Sequence, residues 1–252
     1  MTLLNNLTKD AYGGKKRFAV LVDPDKSGTA SLKKLAAIAG KAGVDYFFFG
    51  GSLLMRGKGE EQISVLRDYS DIPVILFPGS SLQVFPNAHG ILLLSLISGR
   101  NPDMLIGKHV ESAALLKASR LEIIPTGYML IDSGRPTSVS YISNTHPIPA
   151  DKPDIAVCTA MAGEMLGLKV IYLDAGSGAE TPVPAEMIKH VKREISIPLI
   201  VGGGISSPEK ARTALKAGAD VIVIGNAIEK NPKLIPAISS EVAKWRNSEI
   251  AK

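Results

Sequence analysis

Apolar residues in this chain fall into short dense blocks, and most gaps between blocks carry polar stretches with helical spacing. The blocks read as strands. Phe18–Asp23 is the first, and period-two alternation puts Ala19, Leu21 and Asp23 on one face. Asp45–Ser52 holds the second with its turn, and its three successive phenylalanines imply burial on both faces, as a parallel strand requires. Pro73–Pro78, His89–Leu96, Glu122–Ile131 and Lys169–Asp174 follow. Pro198–Ile205 is a strand running into a glycine-rich turn, and Val221–Ile228 is a buried strand ending in Gly-Asn. Helical stretches alternate with them: Ala30–Ala42, capped by Ser27 or Thr29 and ended by Gly43, then Lys58–Tyr69, the segment from Ser98–Pro102 to about Ser119, Asp154–Gly167, Pro184–Glu194, Ser206–Ala217 and Asn231–Asn247.

Two gaps break the alternation. Gly79–Ala88 is short and rich in Gly, Ser and Pro where a helix is due. Asp132–Lys152 is a long Ser/Thr/Pro/Gly loop, a length that in a compact domain usually signals function, often a lid. Eight strands alternating with mostly helical segments predict an α/β fold with a parallel sheet, closed as a (β/α)8 TIM barrel with an irregular, non-helical third βα segment. Residues 1–252 make one phosphate-binding domain of about the usual barrel length. No G-x-G-x-x-G follows the first strand, which argues against an open dinucleotide-binding sheet.

Composition narrows the partners. The net charge of +5 is spread along the chain, with no Arg/Lys run interleaved with aromatics, so nucleic acid is not an expected partner. A mild positive balance suits anionic substrates. The longest apolar run, Ile91–Ile97, is too short to span a bilayer, and Met1–Arg17 lacks a signal-peptide core. The single cysteine, Cys158, has no internal partner. It is expected to be buried and inert, in keeping with a reducing cytoplasmic setting.

Candidate chemistry gathers at the carboxyl ends of the strands, where barrel enzymes keep their sites. Gly203 and Gly204 follow strand seven, Gly225 and Asn226 follow strand eight, and Gly176, Ser177 and Gly178 follow strand six. Bare glycine backbone lets amide N–H groups approach an anion, so these turns form a phosphate cup. Asp23 and Ser52, on adjacent strand ends, offer hard oxygens for Mg2+, which takes the rest of its shell from water and substrate phosphates. Tyr172 and Asp174 share one face of strand six, and an acid beside a phosphate cup can accept a proton from a substrate hydroxyl. Plainer roles stay open: Asp23 as the cap of an Asp-Pro-Asp turn, and Asp174 as an acceptor of backbone N–H groups. Arg100 and Asn101 are in place for a diphosphate. His109 and His146 show no base–nucleophile companion and are read as structural.

Several stretches, in order along nearly the whole chain, resemble the geranylgeranylglyceryl phosphate synthase family, which includes bacterial heptaprenylglyceryl phosphate synthases. They are Leu21-Val-Asp-Pro-Asp-Lys26, Phe49-Gly-Gly-Ser52, Ser98-Gly-Arg-Asn-Pro102 with Ile106-Gly-Lys-His109, Pro125-Thr-Gly-Tyr128, Tyr172-Leu-Asp-Ala-Gly-Ser-Gly178, Val201-Gly-Gly-Gly-Ile205 and Ile224-Gly-Asn226. The Ala-Gly-Ser-Gly form resembles the family's second group, and the missing third helix is also similar to this family.

The resemblance implies a prenyltransferase joining sn-glycerol 1-phosphate to a polyprenyl diphosphate, geranylgeranyl or another length such as heptaprenyl, by an ether bond. It implies Mg2+ at Asp23 and Ser52. It implies glycerol phosphate held by Tyr172, Leu173, Asp174, Ala175, Gly176, Ser177, Gly178, Gly203, Gly204, Gly225 and Asn226, with Asp174 as base where the family often has Glu. It implies a homo-oligomer, dimer or hexamer, and at most peripheral membrane contact. The prenyl tail needs an apolar groove, for which Phe77, Val84 and Phe85 are candidates. The competing readings are another phosphate-binding barrel, a thiamine-phosphate-synthase-like transferase or a sugar-phosphate isomerase, and a non-catalytic binder of phosphate or isoprenoid.

Overall fold

A computed structural model describes residues 2–55, 58–81 and 83–246. Within them the chain runs α1 (Leu3–Tyr12), β1 (Arg17–Val22), α2 (Thr29–Ala42), β2 (Tyr46–Phe49), α3 (Gly59–Asp68), β3 (Val74–Leu76), β4 (Gly90–Leu96), a π-helical turn (Asp103–Gly107), α4 (Lys108–Ser119) and β5 (Glu122–Leu130). It continues with α5 (Ser138–Ser143), α6 (Pro153–Met165), β6 (Val170–Asp174), α7 (Ala185–Glu194), β7 (Leu199–Gly202), α8 (Pro208–Ala217), β8 (Val221–Ile224), α9 (Asn226–Lys230) and α10 (Leu234–Arg246). The strands pair in parallel in chain order and β8 closes on β1, as the alternation predicts. Among the described residues of 77–89 none is helical, so the third βα segment is irregular.

Period-two alternation sorts the apolar side chains into two layers. Ala19, Tyr46, Phe48, Ile75, Leu92, Ile124, Tyr128, Val170, Tyr172 and Ile200 fill the barrel. Their neighbours Val20, Phe47, Phe49, Val74, Met129, Ile171, Leu173 and Val201 pack outward against the helices. The amino-terminal end of the barrel is closed by α1, whose Leu3, Leu4 and Leu7 join the interior layer. Glu122 holds that helix in place: its carboxylate accepts the Leu3 and Leu4 N–H groups at 2.6 and 2.8 Å, answering donors the first turn leaves free. Chemistry is thereby confined to the opposite end.

Four expectations need correction. The cap of α2 is neither Ser27 nor Thr29: Gly28 takes the N-cap position and no side chain closes it. The eighth strand stops at Ile224, and Asn226–Lys230 turns into α9 because Gly225 lets the chain leave the sheet (φ −117°, ψ −88°). The long loop carries a helix, α5, fixed by a reciprocal cap between Thr137 and Ser140. Cys158 is exposed. On α6 the buried face is Ala156, Ala160 and Gly163, and a residue two positions after Ala156 points about 200° away from it. The last helix is described as far as Arg246, and Asn247 lies outside the described residues.

Candidate active site

The carboxyl ends of the strands open into one cavity of about 730 Å³. Asp23, Ser52, Tyr172, Asp174, Gly176, Ser177, Gly178, Gly203, Gly204, Gly225 and Asn226 all line it. Leu173 and Ala175 do not line it. Both are fully buried in the outer layer, because alternation along β6 sends every second side chain to the helices, and the Ala175 N–H is spent on the Gly202 carbonyl at 3.1 Å.

Three turns form the cradle. Gly203 adopts φ +81°, and a Cβ there would stand 2.7 Å from the amide nitrogens of both Ala175 and Gly176 and 2.8 Å from Asp174 Oδ1. Only glycine lets the turn after β7 come this close to the turn after β6. Ser177 and Asn226 link the β6 and β8 turns, the Asn226 amide donating to Ser177 Oγ at 3.1 Å. Lys210, in the first turn of α8, also lines the cavity and donates to the Gly204 carbonyl at 3.3 Å. Arg135, in the loop after β5, donates to the Gly178 carbonyl and lies 3.9 Å from Glu180, so the long loop grips the cradle from outside.

Asp174 stands at the inner edge of the cradle. Its Oδ1 accepts the Gly176 N–H at 2.8 Å, the plain turn role, and its Oδ2 accepts the Tyr128 hydroxyl at 2.6 Å. Burial raises its carboxyl above the usual range, and the bonds from Tyr128 and Gly176 partly offset that. Burial and the neighbouring Asp174 charge push both Tyr128 and Tyr172 well above the ordinary phenol value, so both keep their protons. Tyr128 faces Tyr172 in the β5–β6 register, and Phe77 stacks on Tyr172 with centroids 5.3 Å apart. Sequence reasoning gave Tyr128 no role. Alternation along β5 was the available signal, since it places Tyr128 inward with Thr126 and Leu130.

Asp23 sits against Gly51, and its oxygens are likewise divided: Oδ1 accepts the Asp25 N–H at 3.0 Å, and Oδ2 meets Lys26 Nζ at 2.8 Å. Lys26 also lies 3.8 Å from Glu229 on α9. Partial burial lowers the Lys26 ammonium and the two carboxylates raise it, with a net shift upward. Among the described residues no cluster of three or more His, Cys, Asp or Glu is placed to hold a metal unaided. A cation here would have to draw on Asp23, Ser52, water and substrate oxygens, a hard-oxygen set that fits Mg2+.

Beyond Asp23 the cavity becomes apolar. Ile91 and Leu93 on the outward side of β4 line it together with Ser112 and Leu116 of α4, beside the segment after β3 that carries no helix among its described residues. Phe77 and Val84 line it. Phe85 does not: its ring packs edge-on against Phe49 at 6.1 Å. His109 lines the cavity, its Nε2 3.2 Å from Ser95 Oγ, and burial lowers its imidazole below the usual value. Asn101 donates to the Ser143 carbonyl at 2.7 Å and Arg100 to the Gly99 carbonyl at 2.8 Å, so both are tied into loop structure.

Fold and rim together define the class, a (β/α)8 barrel in which a glycine cradle, a buried acid and an apolar groove share one cavity. Residues 13–242 match the PcrB family. The chain is 55% identical over 250 residues to the geranylgeranylglyceryl phosphate synthase of Spirosoma linguale, covering 99% of each, and 57% identical over 229 residues to that of Chitinophaga pinensis, covering 91% of each. It is also similar to the crystal structure of (S)-3-O-geranylgeranylglyceryl phosphate synthase from Thermoplasma acidophilum in complex with sn-glycerol-1-phosphate, with TM-score 0.91 and 33% identity over 97% of this chain and 99% of that one. The chain belongs to the PcrB family, that of the geranylgeranylglyceryl phosphate synthases it resembles.

Proposed function

We propose that the protein transfers a geranylgeranyl group from its diphosphate to the 3-hydroxyl of sn-glycerol 1-phosphate. The observation that carries this reading is the single cavity running from the glycine cradle past Asp174 and Asp23 into an apolar groove. It matches a small anion, a reacting hydroxyl, a diphosphate and a long tail laid end to end. The relatives' names, and the glycerol phosphate bound by the Thermoplasma enzyme, support the same substrates.

The cradle amides of residues 177–178, 203–204 and 225–226 and Lys210 would hold the phosphate, with Gly176 shaping the turn through its bond to Asp174, so the glycerol hydroxyl is presented to the allylic carbon rather than arriving by collision. Asp174 would take the hydroxyl proton as the new C–O bond forms and diphosphate leaves with the electrons of the old one. Tyr128 keeps the carboxylate turned toward the cavity. Asp23 and Ser52 would hold Mg2+, which supplies charge neutralisation of the leaving diphosphate. The groove over Ile91 and Leu93 would take the tail; heptaprenyl is the other length to test. A non-catalytic binder would have no need of a buried, proton-ready Asp174 at this junction.

Among the described residues no helix is long and apolar enough to cross a membrane. Leu53, Met55, Ile106 and Val110 are exposed around the groove side of the rim, which supports peripheral contact with the membrane that holds the lipid substrate. Exposed Ile155, Met165 and Leu166 on and just after α6 support self-association as a dimer or hexamer. The deciding assay supplies sn-glycerol 1-phosphate, Mg2+ and prenyl diphosphates of several lengths and measures organic-extractable ether product. Product that vanishes with EDTA is the expected result, and no product at any length refutes the reading.

A further inference from the structure

Lys26 occupies an unusual place. Its ammonium lies 2.8 Å from Asp23 Oδ2, the oxygen of Asp23 not tied into its own turn, and 3.8 Å from Glu229 Oε2 across the β8–β1 seam. Asp23 and Glu229 are both largely covered, with side chains 21% and 23% exposed, while the Lys26 side chain is 49% exposed and long enough to swing. All three line the cavity.

We propose that Lys26 is a built-in counter-ion for Asp23, and that a divalent cation binds Asp23 by displacing the ammonium onto Glu229. This rests on the reading that Asp23 receives the metal. The physical reason is direct. A divalent ion at Asp23 Oδ2 would stand in the position the ammonium now holds, and two like charges there repel strongly. Glu229 is already close enough to receive the lysine, so the exchange leaves no covered carboxylate bare. Without Glu229, Lys26 would have Asp23 as its remaining partner and would hold it against the metal. Glu229 is then a positioning residue: it sets how readily the metal enters without touching it.

The test is a titration of the full-length chain with Mn2+, without substrates, read by calorimetry and by the loss of the free-ion resonance signal. A unit charge removed about 4 Å from a divalent ion in well-solvated surroundings changes affinity about thirtyfold. Lys26→Met should therefore tighten Mn2+ binding by about that factor, and Glu229→Gln should weaken it similarly. In the Lys26→Met background, Glu229→Gln should weaken binding clearly less than it does in the parent, by the direct pull of Glu229 on the cation alone, because no lysine remains to be received. Unchanged or weaker binding in Lys26→Met overturns the displacement, as does an equal effect of Glu229→Gln in both backgrounds. Asp23→Asn separates the two levels. Lost Mn2+ binding in Asp23→Asn with no gain in Lys26→Met sinks the displacement alone. Unaltered binding in Asp23→Asn sinks the metal site as well.

Discussion

Around the rim, the arc after β6, β7 and β8 is built from backbone, and the arc after β3 and β4 from side chains and a gap. The first arc has short turns and positive-φ glycines packed so closely that a Cβ on Gly203 would stand 2.7 Å from two amide nitrogens. The second lacks a helix after β3, enters α4 through a π-helical turn, and leaves Leu93 half-buried on the cavity wall. The difference follows from the ligands each suits. A small dianion is recognised by direction, and direction requires fixed donors. A flexible hydrocarbon is recognised by the apolar area it can cover, which requires room. Asp174 and Asp23 sit where the two arcs meet, so in the proposed reaction the reacting atoms would lie between a rigid holder and a tolerant one.

The severest way to break this arrangement is at the junction. Asp174→Asn removes the proton acceptor and keeps the shape. The turnover rate should fall about a thousandfold, with little change in KM for glycerol phosphate. The same variant makes a prediction about stability. Burial raises this carboxyl in the folded chain, so between its unfolded and folded values the folded state binds a proton the unfolded state has lost. Ionised Asp174 then weakens the fold as pH rises through that window, and the penalty is fully present above it. Thermal melts at neutral pH should show Asp174→Asn unfolding at a higher temperature than the parent. A lower midpoint together with normal turnover would mean that the carboxylate is structural.

Next in size is the holder. Gly203→Ala places a methyl against two amides at a positive φ, a strain of about 1–3 kcal/mol before any clash is relieved. The cradle must open to relieve it. Affinity for glycerol phosphate, read by calorimetry, should drop about thirtyfold while the groove arc is undisturbed and prenyl diphosphate affinity holds. A smaller effect is expected from Tyr128→Phe, which leaves Asp174 with one hydrogen bond instead of two. The lost bond favoured the ionised carboxylate, so its pKa should move further up. The acid limb of the pH–rate profile should shift to higher pH, with turnover at the plateau reduced about tenfold. An acid limb that stays in place would show that Tyr128 does not tune Asp174.

The two arcs also differed in how far the sequence revealed them. The cradle was legible because glycine after an apolar strand has few other uses at three neighbouring strand ends, and alternation alone set Tyr172 and Asp174 inward. Extending that alternation to β5 would have found Tyr128. It would also have shown that Leu173 and Ala175, carried along with their motif, turn their side chains away. Partners that arrive from distant loops were not legible. Arg135 and Lys210 reach the cradle from the loop after β5 and from α8, and Glu229 became visible only once α9 was known to be a helix rather than the end of a strand. The groove was half legible: a missing helix shows as a short Gly/Ser/Pro segment, but which of Phe77, Val84 and Phe85 faces the gap depends on packing. Cys158 shows the same limit, since an apolar helix such as α6 does not reveal from its composition which side is inward.

The finest test of the comparison lies in the groove. Leu93 is half-buried on the outward side of β4, opposite Ser112 and Leu116, well removed from the cradle along the cavity. Leu93→Trp puts an indole into the gap without introducing a charge or touching a glycine turn. If the groove recognises a tail by room alone, the longest diphosphate accepted should shorten by about one five-carbon unit, since the indole removes contact area that the tail would otherwise cover. Leu93 lies on β4 and the cradle follows β6, β7 and β8, so KM for glycerol phosphate should stay within about twofold. Product lengths by mass spectrometry and KM from the same preparation read both halves at once. A shift in KM with unchanged product length would mean that the tail runs elsewhere and that the two arcs are coupled. Shorter products at constant KM are what a rigid holder joined to a tolerant one should give.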